Sequence, residues 1–380
     1  MQNSLGIDKW LQLIRADGVG PVTFTKLLKH FGSVDRALGA SVAHLTDVEG
    51  IGEQTARRIA ATRDKFDVDP ELALAERLGV WLVHLQDDRY PTLLRQIPDP
   101  PPVLYIKGTL QGADNLAIAI VGSRRCSTYG SEQAARLAHI LAAAGFTIVS
   151  GMARGIDSAA HHGALSADGR TIAVQGCGLA KIFPPENEKL AELISKSGAL
   201  ISELPLNYEP LGENFPPRNR IIAGLSLGTI VIEAAPRSGA LITASVALEY
   251  NRQVMAVPGK IDSPLSRGPH QLIKQGASLV ESIEDVMEAL GYIGEQLKDH
   301  AVAAETQAIQ RIESATTAAR TLALTADERR ILDSLDTDPV HLDDIITASQ
   351  LPPGTAHSTL VCLQLKGLVK NLPGNFFHKR

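Results

Sequence analysis

Residues 116–130, LAIAIVGSRRCSTYG, join an apolar run of strand type to a single glycine, two arginines and the start of a helical stretch. Apolar runs of this kind recur along the following part of the chain, with helical stretches between them. The runs span 116–121, 146–150, 170–175, 199–202, 228–234 and 253–258, and the helical stretches span 130–144, 155–166, 187–197, 219–225, 241–251, 268–276 and 282–289. Nearly continuous apolar strands that alternate with helices predict an α/β domain over 116–290, with a parallel sheet covered on both faces.

The residues before this domain divide into two parts. Residues 1–64 show helical periodicity and two glycine–hydrophobic–glycine turns, at 18–20 and 50–52, each followed by a helix. Each turn resembles the helix-hairpin-helix element of SAM-like domains, whose backbone N–H groups face a phosphate. Two hairpins that pack on each other without touching DNA are the alternative. Residues 65–115 are rich in proline, which predicts a connector packed on the α/β domain.

The residues after the α/β domain also divide into two parts. Residues 291–321 lack a strong apolar stripe and predict a linker, while 322–380 show three helices and a terminal hairpin, the pattern of a winged helix. The third of these helices carries one basic residue, Lys366. Because a helix that reads DNA needs several phosphate and base contacts, we favour a protein-contact or regulatory role for this tail.

The composition limits the function. The 380-residue chain is 44% hydrophobic and 21% charged and has a net charge of −5, so any nucleic-acid binding has to come from a local basic patch. Its three cysteines are far apart and lack metal-ligand spacing, which fits a reducing cytoplasm. The sequence has no apolar stretch of membrane-spanning length and no signal-peptide pattern, so we expect a cytoplasmic protein without membrane contact.

A local basic patch is predicted at the carboxyl ends of the strands, where open α/β sheets bind ligands. Basic residues outnumber acidic ones in the loops at this edge, which is typical of a face that binds phosphates. The basic residues are Arg124, Arg125, Arg154, Lys181, Arg218, Arg220, Arg237, Lys260 and Arg267, and the acidic ones are Asp157, Glu186, Glu203, Glu209, Glu213 and Asp262.

Two helix starts strengthen the phosphate prediction. Ser127 or Thr128 can cap the helix near Tyr129, and Ser238 or Gly239 can cap the helix that carries Thr243 in its first turn. Free N–H groups at a helix start bind an oxyanion, and guanidinium groups add bidentate contacts. Ordinary turn chemistry, without a ligand, is the alternative for each of these positions.

The stretch FPPRNRIIAGLS at 215–226 suggests contact with a single strand of nucleic acid. Phe215 offers a ring on which a base can stack, and Arg218 and Asn219 offer polar groups beside it. Arg220 has two interpretations. It can contact the nucleic-acid backbone, or it can form an internal ion pair with Glu203 or Glu233. At least one of the three polar residues from Arg218 to Arg220 is expected to be structural.

Catalytic and cofactor motifs are missing from the sequence. The glycine spacing after 116–121 is wrong for a dinucleotide fingerprint, and neither a P-loop nor a G-x-S-x-G, H-E-x-x-H or Cys/His site occurs. Asp157 and His161 lie four residues apart on a predicted helix, a spacing that is more often structural than catalytic. We therefore expect no catalytic residue, no metal and no cofactor.

Five motifs together resemble the DNA processing protein A family (DprA, also called Smf). They are IAIVGSRRCSTYG, IVSGMARGIDSAAH, FPPRNRIIAGLS, SGALITASVALEYNR and VPGKIDSPLSRGPHQLIKQGA, in this order, within residues 80–290. The resemblance implies a Rossmann-like, doubly wound sheet that binds single-stranded DNA, and a homodimer. It also implies a mediator, not an enzyme, that protects incoming DNA and loads a RecA-type recombinase in natural transformation, with single-strand binding protein as a further candidate partner.

The resemblance and the loop chemistry together give the predicted DNA-binding residues. They are Gly122, Ser123, Arg124, Phe215, Arg218, Asn219, Arg220, Ser238, Gly239, Thr243, Arg252 and Lys260. The sequence departs from the family pattern at His270, where we expect Asn, and the role of Arg125 stays open. The alternative function is a nucleotide-processing enzyme of the nucleoside-monophosphate phosphoribohydrolase (lysine-decarboxylase-like) group, although APRSGALITA at 235–244 lacks the PGGxGT-type motif of those enzymes.

Overall fold

In the computed structural model of the protein, the apolar run at 117–121 is a strand with all five residues buried, as a strand in a sheet covered on both faces requires. The structure describes residues 2–291, 324–335, 339–366, 368–372 and 374–379. The chain divides into two compact units, Met1–Glu305 and Thr306–Arg380. The predicted linker lies outside the described residues except for Gly291.

The N-terminal residues form helices joined by the two predicted glycine turns. The helices are α1 (Ile7–Ile14), α2 (Pro21–Phe31), α3 (Val34–Gly39), α4 (Val42–Thr46), α5 (Glu53–Thr62) and α6 (Asp69–Leu78). Gly18 and Gly50 have φ angles of 88° and 82°, a left-handed conformation that glycine adopts without strain. The turns therefore join α1 to α2 and α4 to α5 as two helical hairpins.

Nine strands among residues 2–291 form one sheet in the order β1-β2-β6-β5-β4-β3-β7-β8-β9. They are β1 (Val80–His84), β2 (Val103–Gly108), β3 (Ala117–Val121), β4 (Thr147–Ser150), β5 (Thr171–Val174), β6 (Ala199–Ser202), β7 (Gly228–Val231), β8 (Gln253–Ala256) and β9 (Ser278–Leu279). The helices between and after them are α7 (Thr92–Arg95), α8 (Thr128–Ala143), α9 (Ile156–Ser166), α10 (Glu188–Ser197), α11 (Phe215–Gly224), α12 (Gly239–Glu249), α13 (Arg267–Lys274) and α14 (Ile283–Ala289). Strands β3 to β9 are parallel to their neighbours within this set.

The predicted doubly wound arrangement is confirmed, and the side chains of strand β5 illustrate it. In β5, Ile172 and Val174 pack into an apolar core with Ile221 and Ile222 of α11. The residue between them, Ala173, packs into a different core with helix α10. Successive residues of β5 therefore face opposite layers, and both layers are helical.

Strands β1 and β2 depart from the parallel pattern. Strand β2 pairs antiparallel with β1 and with β6. The connection between β1 and β2 is rich in proline and holds only the short helix α7, so it does not form the helical crossover that parallel neighbours need. The proline-rich part of the chain thus extends the sheet at one edge.

Helix α11 begins four residues earlier than the predicted start at residue 219. Its first residue is Phe215, and Pro216 and Pro217 lie in the first turn. Proline is well tolerated there because the first N–H groups of a helix have no partner within the helix. The two prolines that we interpreted as a stiff loop therefore start the helix.

The second unit has the fold expected of a winged helix. It contains α15 (Ala326–Asp333), β10 (Val340–His341), α16 (Leu342–Ser349), α17 (Pro353–Leu365), β11 (Val369–Leu372) and β12 (Phe376–Lys379). The strands form a sheet in the order β10-β12-β11, and Ile331, Ile345, Leu360 and Phe377 lie in the core beneath it. None of the described helices, in either unit, has the length and apolar character needed to cross a bilayer.

The second interpretation of Arg220, an internal ion pair, is confirmed. Its guanidinium pairs with Glu203, which follows β6, and with Asp99 of the connector, 3.3 Å from Nε. The Tyr250 hydroxyl donates to the same Asp99 carboxylate, and only 7% of Arg220 is exposed. Arg220 therefore joins the connector, the sheet and the end of α12, and the structure does not bring it to the predicted DNA surface.

Replacing Arg220 should destabilise the protein strongly. We expect Arg220→Met to lower the free energy of unfolding by about 3 kcal/mol, because Asp99 and Glu203 keep their charge and lose their partner. Urea denaturation measures this change. As a control, Arg125→Ala removes an exposed arginine and should shift stability by less than about 0.5 kcal/mol. A loss for Arg220→Met as small as that of the control would contradict the structural role.

His161 and Asp157 are each hydrogen bonded to other groups and not to one another. The Thr171 hydroxyl donates its single hydrogen to the Ile148 carbonyl, so the 2.7 Å contact with His161 requires Nδ1 of the imidazole to be the donor. Nε2 of His161 is buried without a partner among the described residues, and burial lowers the pKa of His161 to about 3. The Asp157 carboxylate instead accepts from the N–H groups of Gly151 and Ala153.

Stability should therefore fall with acid through His161. Since its pKa is about 3 in the folded chain and about 6.5 in the unfolded chain, only the unfolded state gains a proton between these values. Below pH 6.5 the protein should lose up to about 1.4 kcal/mol per pH unit from this residue. Urea denaturation at several pH values should show a shallower dependence for His161→Asn than for wild type. Parallel curves would mean that the imidazole titrates normally in the fold.

Candidate nucleic-acid interface

A groove of about 500 Å³ opens at the carboxyl ends of β3 and β7. From β3 the chain builds outward to β4, β5 and β6 on one side, and then crosses over to β7 on the other side of β3. A crevice forms where the direction of winding reverses, because the loops after β3 and β7 diverge to opposite faces of the sheet. The groove therefore lies at the position where α/β sheets usually bind ligands.

The structure brings most of the predicted DNA-binding residues together in this groove. They are Gly122, Ser123, Arg124, Phe215, Arg218, Asn219, Ser238, Gly239 and Thr243. They come from three separate parts of the chain: the loop after β3, the start of α11 and the start of α12.

The loop after β3 is held by close backbone packing. A Cβ atom on Gly122 would lie 2.5 Å from Cγ1 of Ile156, and one on Gly155 would lie 2.4 Å from the Ser123 carbonyl oxygen. Gly155 also has a φ of 74°, which favours glycine. This packing fixes the backbone on both sides of Arg124 while its side chain stays exposed.

The start of α8 is closed by a protein carboxylate. Ser127 is the N-cap, and its N–H and hydroxyl donate to Glu233 over 2.8 Å and 2.6 Å. A Cβ atom on Gly130 would lie 2.4 Å from the same carboxylate, so glycine is needed in this first turn. The negative charge that favours a helix start is thus supplied by Glu233, and the phosphate that we expected at Ser127 has no place there.

The start of α12 is open to the groove. Ser238 is its N-cap and accepts from the Ala240 N–H, and a Cβ atom on Gly239 would have nothing within 4 Å. The Asn219 side-chain amide donates to the Gly239 carbonyl over 3.2 Å, which ties α11 to this helix start. Because α12 has eleven residues, its dipole favours an anion at this position.

Arg218 forms part of the floor of the groove. Its guanidinium donates to the carbonyls of Gly151, over 2.9 Å, and Val174, and only 6% of the residue is exposed. Burial lowers the pKa of Arg218 to about 10, and the Asp157 carboxylate beside it opposes this effect. The residue therefore joins the ends of β4 and β5 to α11, with most of its donors already used.

Phe215 presents a half-buried ring at one end of the groove. Its ring centre lies 5.5 Å from that of Phe183, and the guanidinium carbons of Arg124 and Arg218 lie 5.3 Å and 5.8 Å from it. A Cβ atom on Gly176 would lie 2.8 Å from Cδ1 of Phe215, so the ring packs on bare backbone. The arrangement is an aromatic platform bordered by cations.

Sequence reasoning missed Phe183 and did not select Arg237. The triplet Phe-Pro-Pro occurs twice, at 183–185 and 215–217, and this repetition was a usable signal for an aromatic pair. Arg237 is exposed and lines the groove. Neither Arg124 nor Arg237 has an ion pair within the part of the chain that the structure describes, whereas Arg154 pairs with Glu186.

Three predicted residues lie elsewhere. Arg220 forms the internal ion pairs described above. Arg252 lies beyond the C-terminal end of α12 and donates to the Leu93 carbonyl over 3.0 Å, and its burial lowers the pKa of its guanidinium. Lys260 is exposed in the loop between β8 and α13, beyond the groove. His270, on α13, contacts the same loop: its Nε2 lies 3.1 Å from the Gly259 carbonyl oxygen, so His270 holds the loop backbone.

No metal site is evident in the described ranges. They contain no group of three or more His, Cys, Asp or Glu residues arranged to hold a metal ion. The donors of the groove are instead guanidinium, amide, hydroxyl and backbone N–H groups, which suit phosphate oxygens.

Comparison with protein families gives matches over three parts of the chain. Residues 81–291, just over half of the 380, match the family described as DNA recombination-mediator protein A. Residues 315–375 match the DprA winged helix domain, and residues 11–63 match a SAM-like helix-hairpin-helix tandem.

Individual relatives agree with these matches. The chain is 36% identical to Protein Smf of Synechocystis sp. over 98% of both chains. It is 38% identical to DNA processing protein DprA of Streptococcus pneumoniae, over 72% of this chain and 95% of the relative. The X-ray structure of DprA from Streptococcus pneumoniae superimposes with a TM-score of 0.66 and 35% identity, covering 76% of this chain and 98% of that one. The chain therefore belongs to the DNA recombination-mediator protein A family.

Proposed function

We propose that this protein binds single-stranded DNA in the groove and acts as a recombination mediator that loads a RecA-type recombinase on incoming DNA in natural transformation. Membership of the recombination-mediator family supports a role in DNA processing. The observation that supports the binding site is the aromatic platform of Phe215 in one groove with two exposed arginines, Arg124 and Arg237, which have no ion pair among the described residues. A single strand needs these two features, a ring for a base and cations for the backbone.

The groove suits a single strand better than a duplex. In a duplex the base faces are stacked on one another and cannot reach a protein ring, whereas an unpaired base can stack on Phe215. Phosphates then lie against Arg124, Arg237 and the open start of α12, where guanidinium and backbone donors are available. Arg218 and Asn219 support the groove indirectly, because their hydrogen bonds hold α11 and α12 in place.

The function we propose needs no reaction at the groove. The Asp157 carboxylate holds backbone N–H groups beside Arg218, and the Glu233 carboxylate is hydrogen bonded to Ser127, so both are used in holding loops. The enzymatic alternative, a nucleoside-monophosphate phosphoribohydrolase, requires a carboxylate that acts on the substrate. Release of free base from nucleoside monophosphates by the purified protein would favour that alternative.

The assignment of partners follows the same proposal. We assign a homodimer, a RecA-type recombinase, single-strand binding protein as a further partner, and a cytoplasmic location. The winged helix is assigned to protein contact or regulation, because α17 holds the place of a recognition helix and no Lys, Arg, Asp or Glu occurs in Pro353–Leu365. A helix that reads a duplex normally carries several basic or polar side chains toward phosphates and bases.

Removing the cation at Arg124 should weaken DNA binding without unfolding the chain. We expect Arg124→Ala to bind oligo-dT about tenfold more weakly and to lower the slope of log K against log salt by about 0.7, the loss of one phosphate contact. Fluorescence anisotropy at several salt concentrations measures both quantities. The matched control is Arg125→Ala, which removes the same charge from the next residue, exposed but outside the groove lining. Equal losses for the two variants would contradict a specific site at Arg124.

Recombinase loading should depend on the same groove. We expect the wild-type protein to speed the assembly of a purified RecA-type recombinase on single-stranded DNA coated with single-strand binding protein. Arg124→Ala should lose most of this effect, because it cannot hold the strand, while Arg125→Ala should keep it. Assembly can be followed by the ATP hydrolysis of the recombinase. A wild-type protein that binds oligo-dT and leaves assembly unchanged would refute the mediator role and retain the DNA site.

A further inference from the structure

The loop between β8 and α13, residues 257–266, lies directly beside the groove. Strands β7 and β8 are hydrogen-bonded neighbours, so the loops that follow them emerge side by side. The Ala234 N–H, at the start of the loop that lines the groove, donates to the Leu265 carbonyl over 2.7 Å. The Tyr129 hydroxyl, in the first turn of α8, donates to the Pro258 carbonyl over 2.9 Å. One end of the loop is therefore fixed to α8, which follows the β3 loop of the groove, and the other end to the segment that leads into the groove lining at Ala235.

The tip of this anchored loop carries an apolar side chain in water. Ile261 is 92% exposed, and Lys260 and Asp262 on either side of it are exposed too. Single exposed apolar residues are common on protein surfaces, so the exposure of Ile261 alone assigns nothing. The position of Ile261 is more informative, because its loop continues the same edge of the sheet that presents Arg124 and Arg237.

The charges beside the tip also favour a polyanion. Lys260 and Arg267, which begins α13, are exposed and have no ion pair among the described residues. With Asp262 included, the three charged groups around Ile261 sum to one positive charge. Arg124, Arg237, Lys260 and Arg267 thus place four cations, none with an ion pair among the described residues, on the loops that follow β3, β7 and β8, where an extended phosphate backbone can contact them.

We propose that the single-stranded DNA path continues beyond the groove onto this loop, where Lys260 and Arg267 bind phosphates and Ile261 contacts a base. The proposal deepens the proposed function and rests on it. Ile261 supplies an apolar surface at the far end of the path, opposite the ring of Phe215 at the near end. The ligand class is a flexible single strand, because only unpaired bases can turn toward both ends.

The strand spacing gives the length of this path. The order β5-β4-β3-β7-β8 contains four strand intervals, so the edge from Phe183 to the β8 loop spans about 19 Å. At about 3.4 Å per stacked nucleotide, this span holds about six nucleotides, and the groove alone, with three intervals, holds about four. Oligonucleotides of about four nucleotides should therefore not reach Ile261, whereas those of about eight should.

The test compares oligo-dT of increasing length, from about four to about twelve nucleotides, by fluorescence anisotropy. We expect the affinity of wild type to rise up to about six nucleotides and then level off. The double variant Lys260→Ala/Ile261→Ser should match wild type on the short probe and bind the long probe about tenfold more weakly. Asp262→Asn, which removes a negative charge at the same tip, should bind the long probe as tightly as wild type or more tightly. Leu193→Ser, at a half-exposed leucine on α10, is the matched apolar control and should leave both affinities unchanged.

The outcomes separate this inference from the proposed function. Equal affinities of the double variant and wild type at every length, or an equal loss at every length, would overturn the path. A variant with normal DNA affinity that fails only when a recombinase is added would place a protein contact at Ile261 and overturn it as well. Absence of oligo-dT binding by the wild-type protein would refute the DNA groove itself, whatever the loop variants do.

Discussion

The buried guanidinium of Arg218 holds the candidate site together. Three segments of the chain meet at this group, because Arg218 belongs to the first turn of α11 and its guanidinium donates to carbonyls at the ends of β4 and β5. A charge without solvent is costly, and here carbonyl oxygens and the Asp157 carboxylate offset that cost. Phe215 lies three residues earlier on the same helix and therefore on the same side as Arg218. The platform can be rigid because the residue one turn away is fixed on several sides. A lysine, whose three donors share a single nitrogen, would not bridge these separate carbonyls in the same way.

The two helix starts beside the groove have opposite roles. The start of α8 is filled by the Glu233 carboxylate, from a residue 106 positions away along the chain, and the start of α12 is open. Two open helix starts would give the crevice two competing sites for one anion. With one of them closed, the only one of these two helix dipoles left for a phosphate is that of α12, whereas the aromatic platform is bordered by the guanidinium of Arg124. The groove is thus chemically different at its two ends.

The fold and the position of the groove followed from local patterns, whereas the contacts of each polar side chain did not. Apolar runs of four to seven residues separated by helical stretches were enough to predict the sheet, and the strand ends then located the groove. The outcome for Arg220 depended on Asp99 and Glu203, which are distant in sequence and become neighbours only through the fold. The hydrogen bond between Ser127 and Glu233 likewise joins two residues that are distant in sequence. Turn residues such as Ser238 and Gly239 were easier to place, because their role is set by the helix that directly follows them.

The N-terminal helices share an apolar core with the sheet. Trp10 and Phe24 belong to the same core as Tyr105 of β2 and Leu190 of α10. Arg15 also donates to the Glu203 carbonyl, and Glu71 accepts from the Leu206 N–H. A boundary drawn near residue 64 is therefore a division of sequence types and not a place to cut the protein. Shortened forms that begin there would expose an apolar surface and be prone to aggregate. In evolution, loss of the N-terminal helices would require new polar residues on the sheet face that the loss exposes.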